Sequence, residues 1–243
     1  MIAVVGSVEG AFESRFRTAL TLYNPYSFAL RGKLQFRPAG QVDVTAGSLD
    51  YEVAPGASVA YDDVVASMGA IGLGSLDVVP GAGTATLSEF TVPFLDARII
   101  SERSSMGQLA TAVPEIRPID ARGGIATVLF VNEDPSIARM SIGVRTLDEP
   151  VILEYEVFAK DGTRKILRTP RAYDRELFEQ LPAEAFTGVS LAKGDVIQIR
   201  THRFTLGGVI VYGVTTDNQT NAPMLQMKDA AAAQRTVGLE RLK

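Results

Sequence analysis

Short stretches in which apolar and polar residues alternate recur along this chain, and they constrain its fold more than any other feature. In the stretch Phe16–Tyr23 the even-numbered side chains can face a core while the odd-numbered ones meet solvent, as in a half-buried β-strand. Further strands are predicted in the first half at 33–37, 49–53, 74–80, 84–92 and 94–101.

The second half of the chain repeats this organisation. Strands are predicted there at 125–131, 140–145, 151–158, 196–201 and 208–215. Turn-forming pairs such as Asn24-Pro25, Pro80-Gly81 and Asp161-Gly162 separate the strands. Many short strands joined by such turns predict an all-β fold built from antiparallel β-sandwiches.

Helical patterns are scarce. The segment Asp62–Met68 can form one or two turns, with an aspartate as N-cap and Gly69 at its end. A second short helix is predicted over 174–181, ending at Pro182. The segment 228–243 contains four consecutive alanines and can also be helical.

The order of these elements occurs twice. The stretch Leu20–Asn24 corresponds to Val128–Asn132 at an offset of 108 residues. The triplet Ala60-Tyr61-Asp62 corresponds to Ala172-Tyr173-Asp174 at an offset of 112 residues. We therefore predict two tandem antiparallel β-sandwich modules, each with one short helix, at 1–108 and 109–228, followed by a C-terminal tail at 229–243.

Composition excludes several kinds of chemistry. The 243 residues include no cysteine, no tryptophan and one histidine, His202, so disulfides, thiolate catalysis and cysteine-ligated metals are excluded. A net charge of −4 argues against a general nucleic-acid binder. No apolar run approaches the ~20 residues that span a bilayer, so no transmembrane segment is predicted. Residues 1–6 lack the basic and long apolar regions of a signal peptide.

The candidate catalytic groups have simpler structural interpretations. His202 lies between arginines at the end of a strand and is predicted to be a surface histidine. One of Asp62 and Asp63 is explained as a helix N-cap, and Glu154 and Glu156 are predicted to share a solvated strand face. We therefore predict no enzyme and no catalytic residue. A hydrolase with dispersed carboxylates is the weakest alternative.

The most polar turn of the chain runs from Asp217 to Asn221. Oxygen atoms of Asp217, Asn218 and Asn221 could together hold Ca²⁺, although the spacing does not match that of an EF-hand. The same side chains could instead bond their own backbone as Asx turns, which is the interpretation we favour. No other metal or cofactor is predicted.

Aromatic residues gather around the Asn24-Pro25 turn. Tyr23, Tyr26 and Phe28 can form an exposed cluster there, whereas other phenylalanines fall on inward strand positions. Such a cluster predicts a contact surface for another protein, or for a sugar that stacks on the rings. Because mean hydropathy is +0.12 without a membrane segment, assembly with protein partners or with copies of itself is favoured.

The opening strand and turn, Phe16–Pro25, together with Pro55-Gly56 and the closing stretch Val211–Pro223, resemble a recurring pattern in secreted bacterial β-sandwich modules with an immunoglobulin-like fold. The resemblance covers most of residues 2–227. It implies an exported protein, extracellular or at the cell surface, and no catalytic residues. We therefore expect a non-catalytic structural or interaction protein, a subunit or accessory part of a surface assembly, with a carbohydrate-binding accessory module as the alternative.

Overall fold

The computed structural model of this chain describes residues 1–11, 13–81, 91–103, 107–121, 125–203, 205 and 207–227. Within it the chain forms two compact units, Met1–Ile116 and Arg117–Lys243. Most of the strand predicted at 84–92, and the whole tail predicted at 229–243, lie outside the described residues. No helix among those residues is long and apolar enough to cross a membrane.

The first unit contains eight described strands and one short helix. In chain order they are β1 (Ile2–Glu9), β2 (Ser14–Tyr23), β3 (Leu30–Pro38), β4 (Gly47–Val53), β5 (Ser58–Tyr61), α1 (Val64–Ser67), β6 (Gly72–Pro80), β7 (Phe94–Arg103) and β8 (Gly107–Val113). The predicted module boundary after residue 108 falls inside β8, which pairs with β7, and the compact units divide after Ile116.

All eight strands belong to one antiparallel sheet, in the order β4-β3-β6-β1-β2-β7-β8, with β5 joined to β2. One edge of β2 pairs with β7 throughout, whereas the other pairs first with β1 and then, from Leu20 onward, with β5. Because two strands share that edge, the sheet curls around its own apolar side chains. The even-numbered Leu20 and Leu22 are buried there, as the alternation predicts.

The helix α1 forms where the sequence places it. Asp63 is its N-cap, and the Oδ1 atom of Asp63 accepts a hydrogen bond from the Ala66 backbone N–H at 3.0 Å. Gly69 follows the last turn with a φ of +70°, a conformation that glycine adopts without steric cost. Val64 and Val65 are the buried side chains of this helix.

The second unit is a sandwich of two four-stranded antiparallel sheets. After a 3₁₀ turn (Pro118–Ala121), its elements are β9 (Ala126–Phe130), β10 (Ala138–Thr146), β11 (Val151–Phe158), β12 (Arg164–Tyr173), β13 (Phe178–Pro182), α2 (Ala183–Thr187), β14 (Val196–Thr201), β15 (Val209–Asp217) and β16 (Pro223–Met227). One sheet has the order β13-β10-β15-β16 and the other β12-β11-β14-β9. The predicted all-β class is confirmed.

The core of the second unit lies between these two sheets. Its buried side chains come from alternate positions of both, and include Leu129, Ile142, Val144, Leu153, Tyr155, Val157, Ile197, Ile199 and Val211. This is the arrangement in which each sheet covers the apolar face of the other.

The prediction of a helix over 174–181 is wrong. Glu176 has a φ of +53°, which breaks any helix there, and the next residues form β13 against β10. Phe178, within the predicted helix, is buried as a strand residue. Pro182 precedes α2 and does not end a helix, since proline is compatible with the first turn but not with a helix interior.

Candidate interaction surface

The turn after β2 is organised by the side chain of Asn24, which is completely buried. Its Nδ2 atom donates to the carbonyl oxygens of Phe28 at 2.7 Å, Val53 at 2.9 Å and Ala54 at 3.2 Å. Its Oδ1 atom accepts from the Tyr26 backbone N–H at 2.9 Å. One amide therefore ties the turn to the end of β4 and satisfies backbone groups that would otherwise lack partners.

Tyr26 and Phe28 stack on each other above this turn. Their ring centroids are 5.3 Å apart and the ring planes meet at 20°. Asn24 forms hydrogen bonds with the backbone of both residues, so the backbone that carries the stacked rings is held in place. Tyr26 is exposed and Phe28 is half-buried.

A second pair of rings lies at the same end of β2. Tyr23, its last residue, is the cross-strand partner of Phe94, the first residue of β7. Both side chains point away from the core and are exposed, with 43% and 55% of their surface accessible. The four rings Tyr23, Tyr26, Phe28 and Phe94 are called the aromatic surface below.

The predicted contact residues Tyr23, Tyr26 and Phe28 thus lie around one turn, and Phe94 is the member that the sequence did not reveal. Phe94 begins a predicted strand, but the pairing of that strand with β2 depends on the register between distant segments. The only local indication that Phe94 could join the aromatic surface was its position as an apolar residue directly after Pro93.

The polar turn proposed as a weak Ca²⁺ site is held together by protein hydrogen bonds. Oδ1 of Asn218 and Oδ1 of Asn221 accept from the Arg139 guanidinium at 3.2 Å and 2.7 Å. Oδ1 of Asp217 accepts from the backbone N–H of Thr220 and from its hydroxyl, and these bonds hold the pKa of the Asp217 carboxyl below its ordinary value. A cation there would have to displace an arginine, so the geometry favours an Asx-type turn.

The candidate catalytic groups each have a neighbour that gives them a structural role. His202 follows β14 with its Nε2 atom 3.8 Å from the Glu154 carboxylate. Asp63 is the helix cap described above, and its Oδ2 atom also accepts from the Ser7 hydroxyl at 2.8 Å. The prediction of a solvated face is wrong for Glu156, which is buried and lies 3.4 Å from Arg164.

A shallow cleft of about 210 Å³ opens at one end of the second unit, beside Val131, Met140 and Leu191. Two carboxylates line it. Glu133 is 3.4 Å from the Lys193 ammonium, and Glu184 accepts a hydrogen bond from the Leu191 backbone N–H at 3.0 Å. These partners favour structural roles for both carboxylates over an acid–base pair.

No protein-family model matches this chain, and no curated protein matches it either.

Proposed function

We propose that this protein is a non-catalytic structural or interaction protein, which binds protein partners, and first of all further copies of itself, through the aromatic surface. One observation carries the proposal: the buried Asn24 amide fixes the stacked rings of Tyr26 and Phe28 at the surface. Tyr23 and Phe94 add a second exposed pair at the same strand end.

The energetics of association support this use of the rings. Apolar surface removed from water contributes about 25 cal/mol per Å², and aromatic side chains supply large areas with few rotatable bonds. Side chains that are already ordered lose little further entropy when a partner covers them. A turn anchored by Asn24 therefore presents its rings in a conformation suited to binding.

We further propose that the protein acts outside the cell, as an exported subunit or accessory part of a surface assembly. The support is the resemblance of Phe16–Pro25 and Val211–Pro223 to secreted bacterial β-sandwich modules.

Sedimentation velocity over a rising range of protein concentration tests the self-association. We expect the parent protein to form larger species as concentration increases, and Tyr26→Ala to shift that transition to at least tenfold higher concentration. Ile71→Ala is the matched control, because Ile71 is the most exposed large apolar residue among the described residues of the first unit, at 84%, and lies outside the aromatic surface. A parent protein that stays monomeric throughout, or an equal shift with Ile71→Ala, would contradict the proposal.

A carbohydrate-binding module is the second candidate, and the exposed Tyr23 and Tyr26 rings favour it because sugars stack on such faces. The stacking of Tyr26 on Phe28 counts against it, since one face of the Tyr26 ring is already covered. Pull-down with insoluble polysaccharides separates the two: binding that Tyr26→Ala abolishes, from a parent that does not self-associate, would favour the carbohydrate role.

A further inference from the structure

The sheet of the first unit ends at β4, whose only neighbour among the described strands is β3. The residues of β4, Gly47–Val53, include no proline and no lysine, which commonly keep an edge strand from pairing. In the second unit, edge strands do contain proline: β12 includes Pro170, β13 ends at Pro182 and β16 begins at Pro223. Because β4 lacks such a residue, its outer edge is suited to pairing with another strand.

The hydrogen bonds of β3 show which backbone groups of β4 point outward. The Arg31 carbonyl accepts from the Gly81 N–H at 2.7 Å, so the backbone of Arg31 points toward β6. Because backbone groups alternate along an antiparallel strand, Gly32 points the other way and pairs with Tyr51 of β4. The same alternation turns outward the N–H and carbonyl groups of every second residue of β4, namely Ser48, Asp50 and Glu52.

The outer face of the sheet is acidic along this edge. The side chains of Asp50 and Glu52 are 82% and 59% exposed. Each has a basic neighbour on β3: the Lys33 ammonium lies 3.0 Å from Asp50, and the Arg31 guanidinium lies 2.5 Å from Glu52. Because both bases belong to β3, the other side of each carboxylate faces the open edge.

These charges select the kind of strand that can be added. Cross-strand pairs of opposite charge stabilise a sheet, whereas like charges directly opposite each other destabilise it. A basic side chain opposite Asp50 or Glu52 would extend the row of alternating charge that begins on β3. A second copy of β4, paired antiparallel with the first, would instead gather four carboxylates along one seam. The edge therefore favours a basic strand over another copy of itself.

We propose that the open edge of β4 binds an extended segment of a partner protein, with lysine or arginine at alternate positions, as an added antiparallel strand. Main-chain hydrogen bonds to Ser48, Asp50 and Glu52 hold the segment, and its basic side chains contact the two carboxylates. The residues between the basic ones lie on the inward face, beside the half-buried Leu49, and are apolar. β4 carries none of the four rings of the aromatic surface, so this binding is independent of the self-association proposed above.

Fluorescence anisotropy with a labelled peptide tests the binding. The probe is the acetylated peptide Thr-Lys-Val-Arg-Val-Lys-Thr, whose basic side chains share one face when the peptide is extended. A residue that lies opposite Asp50 in an antiparallel pair directs its own N–H at β4. We therefore expect N-methylation of the three basic residues to weaken binding at least tenfold. N-methylation of the two valines, whose N–H groups point away from β4, should change the affinity less than twofold.

Charge reversal in the protein locates the peptide on this edge. We expect Asp50→Lys to weaken binding at least tenfold. Asp96→Lys is the matched control and should change the affinity less than twofold, because Asp96 is an exposed residue of β7, 3.0 Å from Arg98, and several strands separate β7 from β4. Asp50→Pro removes an outward N–H without removing a bond to β3, and should abolish binding. Circular dichroism confirms that each variant is folded.

No saturable binding to the parent protein, or equal affinity for the two N-methylated peptides, would overturn the proposal. Equal losses with Asp50→Lys and Asp96→Lys would also overturn it, since the peptide would then respond to net charge alone. Self-association of the parent that Asp50→Pro removes and Tyr26→Ala leaves intact would overturn it as well, and would identify a second copy as the strand on this edge.

Discussion

The side-chain amide of Gln226 makes both hydrogen bonds that a neighbouring strand would make to Phe130. Its Oε1 atom accepts from the Phe130 N–H at 2.9 Å, and its Nε2 atom donates to the Phe130 carbonyl at 2.9 Å. Gln226 belongs to β16 in one sheet, and Phe130 to β9 in the other. One side chain therefore links the two sheets at an edge where their backbones do not pair.

Replacing this amide should weaken the second unit. We expect Gln226→Ala to lower the free energy of unfolding by about 1–2 kcal/mol, since two hydrogen bonds at a partly exposed position are lost. Gln226→Glu keeps an acceptor for the Phe130 N–H but turns a carboxylate oxygen toward the Phe130 carbonyl, so it should be no better than alanine. Urea denaturation followed by circular dichroism measures both.

Gln198→Ala is the matched control for the Gln226 variants. Gln198 lies on β14 at similar exposure, and its side chain accepts a hydrogen bond from Arg200 at 3.0 Å. We expect less than about 0.5 kcal/mol of destabilisation, because the pair is exposed. If Gln226→Ala and Gln198→Ala lower the free energy of unfolding equally, the hydrogen bonds between Gln226 and Phe130 add no stability beyond that of an exposed pair.

Substitution of the buried turn residue Asn24 should strongly lower the free energy of unfolding. Asn24→Ala leaves the carbonyls of Val53 and Phe28 without their donor inside a buried turn, which should cost roughly 2–4 kcal/mol. Where the variant stays folded, self-association should weaken along with stability, because the turn also holds Tyr26. Asn132→Ala, at an exposed asparagine, should change the free energy of unfolding by less than about 0.5 kcal/mol. A stable Asn24→Ala protein would refute this account.

The strands were predictable where alternation was strong and local. The predicted strands 151–158 and 196–201 match β11 and β14 residue for residue, and the N-cap of α1 followed from an aspartate before two valines. In these segments the periodicity of the sequence agrees with burial in the fold, except at the buried Glu156. The short strand β13 was not predicted, because a few residues around Phe178 fit either a helix turn or a strand. Only the pairing with β10 decides between the two.

The candidate surfaces were harder to predict because they depend on register. The cluster at 23–28 is local in sequence, so composition revealed it. Phe94 joins it only through the pairing of β2 with β7, and Gln226 reaches Phe130 only through the stacking of two sheets. Neither relationship leaves a pattern within one window of residues.

Two buried tyrosines should make stability depend on alkaline pH. The hydroxyls of Tyr155 and Tyr173 are 2.6 Å apart in the core of the second unit, and burial raises the pKa of each above the usual 10. The folded protein therefore holds these protons more tightly than the unfolded chain. Their contribution to stability is complete below pH 10 and decreases as pH rises beyond it.

Urea midpoints measured from pH 8 to pH 11.5 test this dependence. We expect a plateau up to about pH 10 and a fall above it, because the unfolded chain begins to lose tyrosine protons there. Tyr155→Phe should be less stable at pH 8 but should lose less stability between pH 10 and 11.5, since one buried proton is gone. Tyr23→Phe, at an exposed ring, should keep the slope of the parent. An unchanged slope in Tyr155→Phe would assign the alkaline transition to other groups.

The polar turn at 217–221 should behave as a protein-only structure that needs no Ca²⁺. Arg139 donates to the side-chain oxygens of Asn218 and Asn221, which removes two of the three oxygen ligands proposed from the sequence. We expect the melting temperature to be the same within 1 °C in millimolar Ca²⁺ and in EDTA. Arg139→Ala should lower the free energy of unfolding by about 1 kcal/mol through loss of these bonds. A Ca²⁺-dependent rise in melting temperature that Asp217→Asn abolishes would instead establish a calcium site in this turn.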